Sequence, residues 1–146
     1  MRRVFADSSV LIAGVGSRSG ASRAVLIMAE IGLFKLILCR QVLDECERNL
    51  RKKLPNALPV FTELLANIRP EILPDPPLEE SARWESIIAA KDAPILAAAV
   101  LAAPDRLLTL DMKDFTPDVA AQSGLTIQTP SDFVQEIRGF VKEGLQ

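Results

Sequence analysis

Four acidic residues, Asp7, Glu45, Asp92 and Asp111, each stand where a hydrophobic stretch ends or turns polar. The chain contains no His and no Tyr, which excludes a histidine general base, a His-ligated zinc and a tyrosine nucleophile. The chemistry left is that of carboxylates, and carboxylates gathered in one place call for a hard divalent cation with oxygen ligands.

The elements that must position these acids follow from hydrophobic periodicity. Val4-Phe5-Ala6 and Val10-Leu11-Ile12 flank Asp7-Ser8-Ser9, the pattern of a short buried strand ending in a polar turn, and Gly14, Gly16, Ser17, Ser19 and Gly20 read as a loop. A helix is predicted over residues 21–31 and a second buried strand over 35–39. Residues 40–54 form an amphipathic helix, with Leu43, Cys46, Leu50 and Leu54 at helical spacing and Pro55 as its stop. Further helices are expected over 58–68, 78–90, 92–103, 117–123 and 131–143. Strands are expected at 71–73 (an edge strand), 106–110 and 125–128. Such alternation gives four or five strands and six or seven helices in an α/β arrangement.

Composition agrees with that class. The apolar share is 49% with only 5% aromatic, so the core is aliphatic, as suits helices packed on a buried parallel sheet. The length, 146 residues, fits a single domain over 1–146. Cys39 and Cys46 lack CxxC spacing and read as small core residues in a reducing compartment. Asp7, Ser8 and Ser9 interrupt the N-terminal apolar stretch too early for a secretory signal, and no run approaches the ~20 apolar residues of a membrane span. A cytoplasmic protein without membrane attachment is the expectation. The net charge of −2 does not argue against a nucleic-acid partner, because a carboxylate-rich site lowers the formal total before its metal binds.

Placement gives the acids a shared meaning. Asp7 and Asp111 each follow a predicted strand, at the carboxyl ends where open parallel sheets put their ligand sites. Asp92 begins a helix whose first turn holds Pro94 and whose body is almost wholly apolar. At ~100° per residue, Glu45 lies on the Val42 flank of its helix with Arg48 and Lys52 close by, so one face offers an acid beside two phosphate-seeking cations. Taken singly, each has an ordinary alternative: turn chemistry for Asp7, a helix N-cap for Asp92, an i, i+3 pair for Glu45 with Arg48.

Taken together, FADSSVLIAG, QVLDECERNL, KDAPILAAAVLA and LLTLDMKDF resemble, in that order and across almost the whole chain, the four motif regions of PIN-domain proteins. Lys91-Asp92 followed by Thr109-x-Asp111 is the most specific part. The resemblance implies a three-layer α/β/α sandwich around a parallel sheet of four to five strands, and a metal-dependent nuclease. Many such proteins are VapC-type toxins that cleave RNA and are silenced by an antitoxin. It further implies that Asp7, Glu45, Asp92 and Asp111 are the acidic quartet, that Asp114 is a fifth, water-mediated ligand or a loop residue, and that Ser9 and Thr109 support the site. The proline-rich stretch between Glu45 and Asp92 is more angular than a compact toxin requires, so the resemblance speaks more directly for a nuclease than for a toxin.

Two carboxylates ~4 Å apart repel by about 4 kcal/mol at an effective dielectric of 20, and Mg2+ or Mn2+ resolves that conflict. Asp7, Asp92 and Asp111 would be direct or water-mediated ligands, and Glu45 would bind a second ion or orient the attacking water. RNA would be gripped by Arg48, Lys52 and Lys113, with Arg18 and Arg23 shaping specificity; the other partners implied are a cognate antitoxin and a second copy in a homodimer. Two other classes remain. A phosphotransfer domain lacks its marks here, since the position two residues after Asp7 is Ser9 and no adjacent acidic pair stands near the start. A catalytically idle PIN scaffold binding RNA or a protein is opposed by the complete quartet.

Overall fold

The computed structural model describes residues 1–144. Five strands, β1 (Arg3–Ala6), β2 (Lys35–Cys39), β3 (Glu71–Leu73), β4 (Arg106–Leu108) and β5 (Ile127–Gln128), form one parallel sheet in the order β3-β2-β1-β4-β5. Val4, Phe5 and Ala6 are all fully buried, as are Leu36 to Cys39 on the neighbouring strand. Successive side chains point to opposite faces of a sheet, so burial without alternation requires helices on both sides. The result is a three-layer α/β/α sandwich.

The helices are α1 (Ser8–Gly16), α2 (Ala21–Glu30), α3 (Arg40–Lys53), α4 (Leu58–Ile68), α5 (Leu78–Ala82), α6 (Ala93–Ala102), α7 (Pro117–Ser123) and α8 (Pro130–Gly144), with a 3-10 turn at Pro55–Ala57. Among them α6 is apolar all round, with Ala93 and Ile95 to Ala99 buried, as a helix enclosed by its neighbours must be. No single helix among the described residues is long and apolar enough to cross a membrane.

Strands β4 and β5 are shorter than the expected 106–110 and 125–128, helices α2, α6 and α8 shift at their ends by one residue, and three larger differences have a physical reason. Ser8–Gly16 is a helix rather than a polar turn followed by a loop, because Asp7 accepts a hydrogen bond from the Ser8 N–H (2.7 Å) at the helix entrance. Gly14 is tolerated inside α1 for a packing reason: a Cβ there would lie 2.5 Å from Leu26 Cδ1 and 3.0 Å from the Ser22 carbonyl, so its absence lets α1 cross α2 closely. The loop shrinks to residues 17–20. The predicted helix over 78–90 ends at Ala82; the chain continues in turns closed by Trp84 N to Ser81 O and by Ile87 N and Ile88 N to Trp84 O. Those turns still bring Trp84, Ile87 and Ile88 to the core, which is why the segment carries a helical hydrophobic pattern without being one helix. Finally, Leu54 lies past the end of α3 and is 44% exposed, so it is not part of that helix's buried stripe of Val42, Leu43, Cys46 and Leu50.

The sheet order reverses between β1 and β4. The segments leaving these two strands diverge, and a crevice opens at their carboxyl ends. Asp7 and Asp111 leave the sheet at that point, with the Asp7 N–H bonded to the Leu108 carbonyl at 3.0 Å.

Candidate active site

Asp7 sits at the end of β1, only 6% exposed. Its carboxylate accepts from Thr109 Oγ1 (2.9 Å) and Ser9 Oγ (3.0 Å), both at Oδ2, and from the Ser8 N–H at Oδ1. Each of those hydroxyls also accepts from the chain beyond β4: Thr109 Oγ1 from the Asp111 N–H at 3.0 Å, Ser9 Oγ from the Leu110 N–H at 3.1 Å. Two hydroxyls thus stitch the ends of β1 and β4 together through the Asp7 carboxylate. Burial raises the Asp7 pKa above its ordinary value, against the lowering effect of those hydrogen bonds, and the Glu45 charge raises it further.

Asp92 occupies the N-cap position of α6, yet its side chain makes no capping hydrogen bond. The carboxylate instead faces Asp111 and Asp114: one oxygen from each of the three lies within 4.8 Å of the others. Burial, a shared hydrogen bond with Asp114 and the Asp114 charge lift the Asp92 pKa to about 6, against the Lys91 ammonium. Asp114 is tied to Asp111 through its N–H, which donates to Asp111 Oδ1 at 3.3 Å.

Glu45 faces the same crevice from α3. Its Oε2 accepts from Ser8 Oγ at 2.9 Å and its Oε1 from Gln41 Nε2 at 3.1 Å. Asp7, Ser8, Ser9, Glu45, Asp92 and Asp111 line a cleft of about 690 Å³ together with Ile12, Ala13, Arg48, Asn49, Lys52, Lys53 and Lys91. Acids from four separate elements therefore form the floor, and four cations stand around them.

A hard divalent cation fits this set. Two oxygens bound to one Mg2+ at ~2.1 Å are at most about 4.2 Å apart, so three carboxylate oxygens within 4.8 Å need only small rotations to share an ion. Asp92 Oδ2 is buried with no hydrogen-bond partner, the state of an oxygen whose partner is an ion or water. The thiols are poor alternatives: Cys39 and Cys46 are buried, and burial pushes both pKa values up, that of Cys39 to about 11.

Asp7, Glu45, Asp92 and Asp111 line one cleft, and Ser9 and Thr109 donate hydrogen bonds to Asp7. Asp114 groups with Asp92 and Asp111 from the turn after β4 but does not itself line the cleft, whereas Asp7 and Glu45 line the cleft and are held by hydroxyl, amide and backbone donors. Arg48 and Lys52 line the cleft; Lys113 is exposed and does not. Arg23 donates to the Gly14 carbonyl at 3.3 Å, a bond within the fold. Sequence reasoning missed Ser8, Gln41 and Asn49. Gln41 stands four residues before Glu45, a spacing that places the two side chains side by side on a helix and was a usable signal; the contact of Ser8 with Glu45 crosses from α1 to α3 and has no local sign.

The fold matches solved structures over most of its length. FitAcB from Neisseria gonorrhoeae aligns with a TM-score of 0.63 at 20% identity, covering 87% of this chain and 97% of that one. VapBC2 from Rickettsia felis, bound to a DNA fragment from its promoter, aligns at 0.63 and 16% identity over 87% and 98%. DNA-bound VapBC from Salmonella typhimurium aligns at 0.62 and 16% over 89% and 99%. No curated protein sequence matches the chain. A sequence description of the PIN domain matches residues 3–113, a span that holds β1 to β4 and the quartet from Asp7 to Asp111, and the chain belongs to the PIN domain family.

Proposed function

We propose that this protein, acting as a single domain over residues 1–146, is a metal-dependent endoribonuclease and the toxin of a toxin–antitoxin pair. The observation that carries the reading is the convergence of carboxylates from four elements on one cleft whose rim is basic. Family membership and the resemblance to VapC toxins support nuclease chemistry. The VapBC and FitAcB assemblies among its fold relatives support a cognate antitoxin partner, and the family resemblance implies a homodimer.

Asp92, Asp111 and Asp114 would hold Mg2+ or Mn2+, with Asp7 beside them. When bound, the cation supplies charge neutralisation and a lowered pKa for the attacking water. Glu45, fixed at both oxygens, orients that water. Arg48 and Lys52 grip phosphates on either side of the scissile bond; both are exposed along one face of α3, so they neutralise backbone charge without reading bases. Hydrolysis forms a bond from water oxygen to phosphorus and breaks the bond to the 3′-oxygen, which takes a proton and leaves as a hydroxyl. The other fragment keeps a 5′-phosphate. The cleft lining contains no aromatic side chain, so no stacking platform contributes to RNA binding there.

The test is cleavage of single-stranded RNA with Mn2+ or with EDTA, by wild type and by Asp111→Asn, with circular dichroism on each. Metal-dependent cleavage that Asp111→Asn abolishes without loss of fold is the expected result. RNA binding without cleavage by the wild type would make this an idle scaffold and overturn the proposal.

A further inference from the structure

Gln41 has no part in the chemistry above, yet its side-chain amide stands at the junction of three segments of the site. Its Nε2 donates to Glu45 Oε1 at 3.1 Å and to the Lys91 carbonyl at 2.9 Å. Both neighbours are acceptors only, so the amide orientation is set by chemistry: nitrogen toward the site, both protons used. The backbone of Gln41 is itself anchored, its N–H donating to Asp75 Oδ1 at 2.9 Å. One residue thus links the start of α3, the catalytic face of that helix and the loop that delivers Asp92.

We infer that Gln41 is a positioning residue, which holds the Glu45 carboxylate over the carboxylate group and ties α3 to the loop bearing Asp92; the inference rests on the nuclease reading. The physical reason for such a device is the company Glu45 keeps. Arg48 lies three residues on along the same helix, at the spacing where a free glutamate pairs with a cation. Among the described residues Glu45 forms no ion pair; Gln41 and Ser8 hold one oxygen each instead. Removing the Gln41 donor leaves Oε1 free to turn toward Arg48 and away from the attacking water. A group that orients a site residue without touching substrate is typically worth about 10- to 100-fold in activity.

The experiment compares wild type, Gln41→Ala and Gln41→Glu, which keeps the size but turns the donor into an acceptor facing Glu45 and the Lys91 carbonyl. Steady-state cleavage of single-stranded RNA in Mn2+ should show kcat lower by about 10- to 100-fold with KM unchanged. A purely structural role would lower the thermal midpoint without that split. Activity is not the only readout. In the metal-free protein, the side-chain amide of Gln41 in a nitrogen-15 correlation spectrum should move in Glu45→Gln, because its carboxylate acceptor has become an amide. A kcat within twofold of wild type in both variants, a loss carried by KM, or a Gln41 amide signal indifferent to Glu45→Gln would each overturn the inference. A wild type without Mn2+-dependent cleavage would sink the nuclease reading instead, and the amide signal would still report whether Gln41 holds Glu45.

Discussion

Replacing Asp92 by Asn should stabilise the metal-free protein and remove its response to metal. The Asp92 pKa is lifted from 3.8 to about 6, burial first and Asp114 next. At ~1.4 kcal/mol per unit that shift amounts to about 3 kcal/mol of penalty on the charged form. Asp92 is only partly buried, so solvent screening reduces the figure to about 1–2 kcal/mol. The direction follows from linkage. An acid whose folded-state pKa lies above its unfolded value binds its proton more tightly when folded. Its penalty is therefore absent below pH ~4, grows between pH 4 and 6, and is complete above about 6. Asn carries no charge and escapes the penalty.

Unfolding of a chain of 146 residues carries an entropy near 0.3 kcal/mol/K, so 1–2 kcal/mol corresponds to about 3–6 °C. In EDTA at pH 8, Asp92→Asn should melt about 3–6 °C above wild type, and at pH 5 the gap should shrink to roughly half. Saturating Mn2+ reverses the order: a ligand at 100 times its Kd adds about 2.7 kcal/mol to wild type, while the variant has lost a ligand oxygen. Scanning calorimetry in EDTA and in Mn2+ at the two pH values measures all four quantities. A variant less stable than wild type in EDTA at pH 8, or an equal Mn2+ shift in both proteins, would refute the assignment of Asp92 to a repulsive carboxylate group that a cation relieves.

Gly14→Ala should destabilise by about 1–2 kcal/mol in denaturant melts, the overpacking against fully buried Leu26 and the Ser22 carbonyl outweighing the better helix propensity of Ala. Glu136, held by Arg106, Arg2 and Gln128, has its pKa lowered from 4.5 to about 2; stability from this group is present above about 4.5 and lost as pH falls towards 2. Glu136→Gln should therefore cost about 1–2 kcal/mol at pH 7, after allowance for the partly exposed arginines, and the gap should close in melts near pH 2. If Arg48 and Lys52 contact phosphates, the double alanine variant should lower the log–log salt slope of RNA affinity by about 1.4, at ~0.7 per contact; Ca2+ in place of Mn2+ is used to prevent turnover, and an unchanged slope would return both residues to the solvated surface.

What the sequence made legible was set by the range of the forces involved. β2, β3, α4 and α7 have the predicted limits because the buried run of β2 and the breaks at Pro70, Pro74, Pro117 and Gly124 are local signals. The acids at strand ends were legible for the same reason. α1 was hidden by Gly14 and Gly16, which read as loop residues until Gly14 is packed against α2, although the Asp7 cap at its entrance is a local signal. Trp84 and Ile88 show the converse, a helical spacing satisfied by turns because tertiary packing needed only the side chains inside. The grouping of Asp114 with Asp92 and Asp111 depends on the turn after Asp111, which brings its carboxylate towards Asp92.

The electrostatic design follows from how the carboxylates divide between two kinds of partner. Asp7 and Glu45 are satisfied by protein donors: four for Asp7, counting a long contact from the Ser8 hydroxyl, and two for Glu45. Asp92 retains a buried oxygen without a partner and has its pKa lifted to about 6 by burial and by Asp114. Leaving a buried acceptor unmet costs roughly 1–3 kcal/mol, a cost the fold could avoid with a single nearby hydroxyl of the kind it spends on Asp7. The unmet demand is therefore concentrated where Asp92, Asp111 and Asp114 converge. That concentration identifies where a cation would gain most in binding, while the already satisfied Asp7 and Glu45 are free to hold geometry rather than charge.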